Sequence, residues 1–167
     1  MTPLVARALE IAVGEIGVRE LGRNRGERVD AYIRSVGLDP TKGSYPWCVC
    51  FAQWCFRKAA QEFGVLSPLP RTAGVHRLWR ESSLRYRSAV PEPGALFLVD
   101  HGHGVGHVGF VEHVDVGTPG LIVEISGNTA PDGGREGDGV YRRHRELTAV
   151  NLGYLDFSRM SYPEPVA

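Results

Sequence analysis

The chain has 167 residues, 43% of them hydrophobic, with 19 basic and 19 acidic side chains and therefore no formal net charge. This length and composition suit one domain over residues 1–167 that buries a core without disulfide bonds. Zero net charge gives no general reason to expect nucleic acid as a partner, and no apolar run approaches the roughly 20 residues of a membrane span.

Helical periodicity dominates the first half of the chain. Thr2 and Pro3 are typical of a helix start, and Gly37 is typical of a helix end. The first half of the third predicted helix, WCVCFAQWCF, is apolar on nearly all sides, so we expect that helix to lie centrally. The predicted helices cover residues 3–16, 27–36, 47–63 and a short stretch through 75–79.

After Pro91 the apolar pattern becomes that of β-strands. The order of helices first and strands afterwards predicts an α+β fold, in which a central helix packs on a mostly antiparallel sheet. The basic run YRRHR (141–145) is interpreted as a solvated edge strand. The predicted strands cover residues 94–99, 107–114, 121–126, 139–145 and 152–157.

The only three cysteines are Cys48, Cys50 and Cys55. An odd number argues against a disulfide framework, and their spacing lacks the paired CxxC of many zinc sites. Cys48 falls at the N-terminus of the central helix, where unpaired N–H groups and the helix dipole favour a thiolate and an oxyanion. Cys50 and Cys55 are predicted to be packing residues. Cys48 is a candidate nucleophile, with a buried structural cysteine as the alternative.

A partner for Cys48 is sought in HGHGVGHVGF (101–110). His107 opens a predicted strand, and a catalytic base must be held by a rigid element, so His107 is the candidate base. A metal site that combines His107 with His101, His103 and His113 is the alternative. The intervening glycines disfavour it, because a metal cage needs support around its ligands.

A third group should orient the imidazole of His107. A β-hairpin with Val114 opposite Leu121 would place Asn128 across from His107, with Glu124 farther along the same face. Geometry favours Asn128, whereas a charge-assisted hydrogen bond favours Glu124, and both remain candidates.

Three further residues are expected at the substrate cleft. Tyr45 and Trp47 flank Cys48 and should line the cleft, with core packing as the alternative for Trp47. Gly106, beside His107, should leave room for a substrate chain.

These residues resemble the CHAP family, the cysteine- and histidine-dependent amidohydrolase/peptidase branch of the NlpC/P60-like, papain-like fold. Three motifs occur in the order found in that family: PWCVCFAQWC, then PGALFLV with GHVGF, then SGNT with GVYRRHR. The resemblance covers about residues 10–145. Where the family commonly has Glu in E-G-N, this chain has Ser126.

The resemblance implies a papain-like thiol hydrolase without a cofactor, with Cys48 as nucleophile and His107 as general base. Its implied substrate is an amide bond of bacterial peptidoglycan, and its implied role is that of a phage lysin or an exported antibacterial effector. The alternatives are a thiol hydrolase or transferase acting on another amide, and a catalytically inactive CHAP-like binding module. The intact pair of Cys48 and His107 disfavours the inactive module.

Partners and location follow from the same interpretation. We expect a monomer that acts on peptidoglycan, with an immunity protein or export machinery as further partners. The N-terminal segment lacks the basic and apolar regions of a secretory signal peptide. Synthesis in the cytoplasm is therefore expected, followed by action at the cell wall or periplasm after lysis-linked release or dedicated secretion.

Overall fold

The computed structural model describes residues 1–132 and 137–160. Within them, four α-helices precede most of a six-stranded sheet. The helices are α1 (Pro3–Gly14), α2 (Glu27–Ser35), α3 (Cys48–Glu62) and α4 (Val75–Glu81). The strands are β1 (Arg87–Ser88), β2 (Leu96–Gly102), β3 (Val105–Val114), β4 (Leu121–Thr129), β5 (Gly139–Glu146) and β6 (Gly153–Leu155).

The strands form one sheet in the order β1-β6-β2-β3-β4-β5, and each described pairing is antiparallel. The α+β prediction is thereby confirmed, with an arrangement consistent with the papain-like type. The two-residue strand β1 was not predicted, because two residues are too short to show a periodicity. Within the described residues, no helix is long and apolar enough to cross a membrane.

Helix α3 is the centre of the core, as its apolar sequence predicts. Every side chain from Cys48 to Phe56 is buried. On one side α3 contacts β3 and β4, and on the other it contacts α1 and α2. The rings of Phe51 and Phe56 meet Phe110 of β3 at centroid distances of 6.2 and 5.6 Å. Full burial of a phenylalanine contributes about 1.5–3 kcal/mol, so these contacts hold α3 on the sheet.

The N-terminal end of α3 is fixed by the residue before it. Trp47 is fully buried, its ring contacts Tyr32 at 5.6 Å, and its indole Nε1–H donates to Glu20 Oε1 at 2.6 Å. A Cβ atom at Gly127 would lie 2.5 Å from the Trp47 ring, so a glycine is required where β4 passes this end of α3. These contacts set the position of Cys48.

The β3–β4 hairpin matches the predicted register only in part. Phe110 lies opposite Ile125, as predicted, but an irregularity between Val111 and His113 shifts the pairs nearer the turn by one residue. Val114 therefore faces Ile122 instead of Leu121, which corrects that part of the prediction.

The pairing of His107 with Asn128 also requires a correction. The regular β3–β4 pairs run from Phe110 towards the turn, so the ladder does not continue to His107. Asn128 has a φ of 56° and lies inside an irregularity of the β4–β5 ladder between Ser126 and Thr129. Simple strand alternation therefore fails at the end of β4 where the third group was expected.

Candidate active site

Cys48 is the first residue of α3 and is 5% exposed. Backbone N–H groups of Val108 and Val49 interact with its sulfur, so the thiol lies beside the His107–Val108 peptide of β3. Burial raises the pKa of Cys48 to about 11, against the opposite effect of these N–H groups. The backbone N–H groups thus favour the thiolate, as expected at a helix N-terminus, whereas burial favours the thiol.

The other two cysteines occupy the core. Cys50 and Cys55 are fully buried. Burial raises the pKa of Cys50 to about 12 and that of Cys55 well above its usual range. Their burial agrees with the prediction that they are packing residues.

His107 is half-buried on β3, and its ring lies 5.9 Å from the ring of Phe97. Its Nε2 atom is buried and has no hydrogen-bond partner among the described residues. Burial, followed by the charges of Arg145, Arg143 and then His101, lowers the pKa of His107 to about 3. The imidazole is therefore neutral at neutral pH and can accept a proton.

Glu124 does not reach His107 Nε2. Its carboxylate is fully buried and is bound by Arg145 through two guanidinium nitrogens, with Nη2 at 3.2 Å from Oε1. Arg143 Nε lies 3.3 Å from the same oxygen, and the Ser126 hydroxyl donates to it at 3.3 Å. The carboxylate is thus held by three residues, two of them on β5.

Asn128 does not bond to His107 Nε2 either. It is half-buried and lines a cleft of about 400 Å³ with Glu20, Asn24, Pro46 and Asp138, among other residues. Because Pro46 lies two positions before Cys48, this cleft adjoins the N-terminal end of α3. Neither Asn128 nor Glu124 bonds to the buried Nε2 atom of His107. Which of them is the third member of a catalytic triad stays a prediction.

The two arginines that bind Glu124 were missed in the sequence. Strand β5 is the sheet edge, as predicted, and Arg142 is exposed. However, the side chains of Arg143 and Arg145 are only 14% and 11% exposed, so the interpretation of this run as solvated holds for alternate residues only. A signal was present, because Glu124 interrupts the apolar strand LIVEIS and a buried carboxylate needs paired cations.

Trp47 and Tyr45, both expected to line the cleft, differ in burial. Trp47 belongs to the core, because its ring packs on Tyr32 and its N–H is bound by Glu20. Tyr45 is half-buried and packs at the edge of the core.

Gly106 does not open space for a substrate chain. A Cβ atom there would lie 2.7 Å from Val99 O and 2.9 Å from Val75 Cβ. The glycine instead allows α4 to approach β3, which corrects the expectation.

The histidines around the hairpin between β2 and β3 do not form a metal centre in the described part of the chain. Residues 1–132 and 137–160 contain no group of three or more His, Cys, Asp or Glu side chains placed to hold a metal ion. His101 and His103 are exposed, and His103 has a φ of 54°.

One family profile, described as CHAP domain, matches residues 40–128, more than half of the chain. The matched segment runs from the loop before α3 to the end of β4 and includes Cys48, His107, Glu124 and Asn128. Neither the curated proteins nor the solved structures contain a match to the sequence.

Proposed function

The chain belongs to the CHAP domain family, and from this membership we propose that it is a cysteine-dependent hydrolase of amide bonds in bacterial peptidoglycan. CHAP domains generally act as amidases or peptidases on this polymer. The observation that carries the proposal is the position of Cys48 at the N-terminus of α3, with its sulfur beside the His107–Val108 peptide. A nucleophile and a base are thereby supplied by two rigid elements, as covalent catalysis requires.

In the proposed reaction, His107 takes the thiol proton of Cys48 as the sulfur attacks the carbonyl carbon of the amide. The carbonyl π electrons move to oxygen, which gives a tetrahedral oxyanion. This intermediate collapses as the C–N bond breaks, and the proton passes from His107 to the leaving amine. Water then attacks the thioester carbon as His107 takes a proton from it. The second tetrahedral intermediate collapses as the C–S bond breaks, His107 returns the proton to the sulfur, and the carboxylic acid and the free Cys48 thiol are released.

The oxyanion would be stabilised by backbone N–H groups at the start of α3. No side chain of the described residues caps this helix end, so its first N–H groups are not used by a capping side chain. Removal of one preorganised oxyanion-hole donor costs about 2.7–4 kcal/mol of transition-state stabilisation in a serine protease. The same donors oppose the effect of burial on the Cys48 thiol.

The biological setting is part of the proposal. Action on peptidoglycan fits a phage lysin released at lysis or an antibacterial effector exported by a dedicated system. The latter role would bring export machinery and an immunity protein as partners. A monomer is sufficient for the reaction, because Cys48 and His107 come from the same chain.

The test is digestion of purified peptidoglycan with the wild-type protein, followed by mass spectrometry of the soluble fragments. New amino groups on stem peptides or cross-bridges identify an endopeptidase, and free lactyl ends of muramic acid identify an amidase. Cys48→Ala should abolish the new ends. Cys50→Ala, a matched change at a buried packing cysteine two residues away, should retain them after its folding has been checked by circular dichroism.

The alternatives predict other results. Sedimentation with peptidoglycan without any new end would favour an inactive CHAP-like binding module. Cys48-dependent hydrolysis of small peptide amides, with peptidoglycan left intact, would favour a thiol hydrolase of another substrate class. Equal activity of wild type and Cys48→Ala would contradict the proposed nucleophile.

A further inference from the structure

The imidazole of His107 lacks the hydrogen bond that usually orients a catalytic base. Its Nε2 atom is buried without a partner among the described residues. An unsatisfied buried polar atom costs free energy, so other contacts must hold the ring in place. Phe97 on the neighbouring strand β2 provides a ring contact, with centroids 5.9 Å apart and planes inclined by 45°.

Phe97 in turn contacts a fixed cation. The guanidinium carbon of Arg145 lies over its ring, 4.6 Å from the centroid, which is within the range of a cation–π interaction. Arg145 is itself held by Glu124 through two hydrogen bonds. A continuous series of contacts therefore runs from a fully buried carboxylate through Arg145 and Phe97 to His107.

Gly109, two residues after His107, leaves space for the Phe97 ring beside His107. A Cβ atom at Gly109 would lie 2.6 Å from Ser126 Cβ and 2.8 Å from Phe97 Cε1. Real Cβ atoms essentially never approach so closely, so any larger residue would push Phe97 or Ser126 away. The close packing of the Phe97 ring beside His107 thus depends on Gly109.

We propose that Arg145 is a positioning residue for His107. It is locked by Glu124 and stacked on Phe97, and it holds the imidazole through ring packing where a third triad member would use a hydrogen bond. Its importance for catalysis rests on the proposed function above, whereas its effect on the imidazole does not. The Ser126 hydroxyl adds a further hydrogen bond to the Glu124 carboxylate.

The charges around His107 follow from the same arrangement. Arg145 and Arg143 on β5 and His101 on β2 act on the imidazole and lower its pKa. Glu124 on β4 is bound to both arginines, and Cys48 on α3 is a neutral thiol at neutral pH. Removal of the Arg145 charge should therefore make His107 easier to protonate.

The test is an NMR titration of the His107 ring in protein labelled with ¹³C-histidine, with the resonance assigned by its loss in His107→Gln. In Arg145→Met the titration midpoint of His107 should rise by about one pH unit from its value of about 3. This rise is at the lower end of the pKa shifts that a neighbouring unit charge causes. Arg145→Lys keeps the charge but loses the planar stack. It should keep the low midpoint and lower kcat about tenfold with little change in KM.

The matched control is Arg142→Met on the same strand. Arg142 makes an equally complete pair with Glu112, at 2.7 Å through two nitrogens, on the exposed side, so its loss should leave the His107 midpoint unchanged. Because Arg145→Met leaves Glu124 with one cation fewer, the double variant Glu124→Gln/Arg145→Met is titrated as well. It removes one positive and one negative charge, so its midpoint should lie below that of Arg145→Met and closer to the wild-type value.

Equal midpoints in wild type, Arg142→Met and Arg145→Met would overturn the inference. This readout does not depend on turnover. A protein that fails to digest peptidoglycan but shows the shifted midpoint would contradict the proposed function alone.

Discussion

Glu124→Gln is the most informative single substitution, because it replaces a buried carboxylate with an amide of nearly the same shape. The carboxylate is fully buried, and its two arginine partners are 14% and 11% exposed. The amide can accept one of their hydrogen bonds but cannot balance either positive charge. Two guanidinium groups would then remain in a poorly solvated place with no full counter-charge.

The expected loss follows from the burial of this cluster. Removal of one partner from a buried ion pair costs about 3–5 kcal/mol. For a protein of this size, each kcal/mol lowers Tm by about 2–4 °C, so Glu124→Gln should lower Tm by roughly 6–20 °C. The free energy of unfolding is measured by urea denaturation, and Tm by circular dichroism.

Glu112→Gln is the matched control, since Glu112 binds Arg142 through two hydrogen bonds at 2.7 Å with a half-exposed guanidinium. An exposed pair is worth about 0–1 kcal/mol, so this variant should melt near the wild type. Addition of Arg145→Met to Glu124→Gln should recover part of the stability, because one uncompensated charge is removed. A Tm of Glu124→Gln within a degree or two of Glu112→Gln would refute the reasoning.

Three further predictions concern the site. Iodoacetamide should modify Cys48 before Cys50 and Cys55, because Cys48 alone has exposed surface and its pKa is raised least. Labelling is followed by peptide mass spectrometry, and faster labelling of Cys50 or Cys55 would contradict this prediction. Gly109→Ala should lower the free energy of unfolding, measured by urea denaturation, by about 1–3 kcal/mol, because the new Cβ would lie 2.6 Å from Ser126 Cβ. Gly14→Ala is the control and should not lower it, because no atom lies within 4 Å of the new Cβ. The free energy of unfolding should fall as pH drops from 6.5 towards about 3, because in this range His107 binds a proton in the unfolded state but not in the folded state. His107→Gln should remove that part of the pH dependence.

The sequence predicted what depends on local periodicity. The apolar pattern predicted α3 closely, because a helix that is apolar on all sides must be buried. The Thr2 cap is present, with its hydroxyl accepting from Val5 N–H at 3.4 Å. Cys48 and His107 were identifiable because each begins, or nearly begins, a regular element that fixes its direction.

The features that escaped prediction depend on residues distant in the chain. Trp47 is held by Glu20, 27 residues earlier, and no pattern around Trp47 reveals that contact. Similarly, Glu124 is neutralised by Arg145, 21 residues later. A strand irregularity of one residue also cannot be read from alternation, so the predicted pairing of Val114 with Leu121 was wrong.

The charges around His107 determine which species the site stabilises. Two arginines near the imidazole oppose an imidazolium, so a resting thiolate–imidazolium pair is unfavourable here. They do not oppose negative charge, and the N–H groups at the start of α3, which no side chain caps, favour it. In the proposed reaction, the thiol proton should therefore leave as the sulfur attacks, when charge is already passing to the substrate oxygen at the helix end. We therefore expect Cys48 in the free protein to react more slowly with alkylating reagents than a cysteine whose thiolate is already formed.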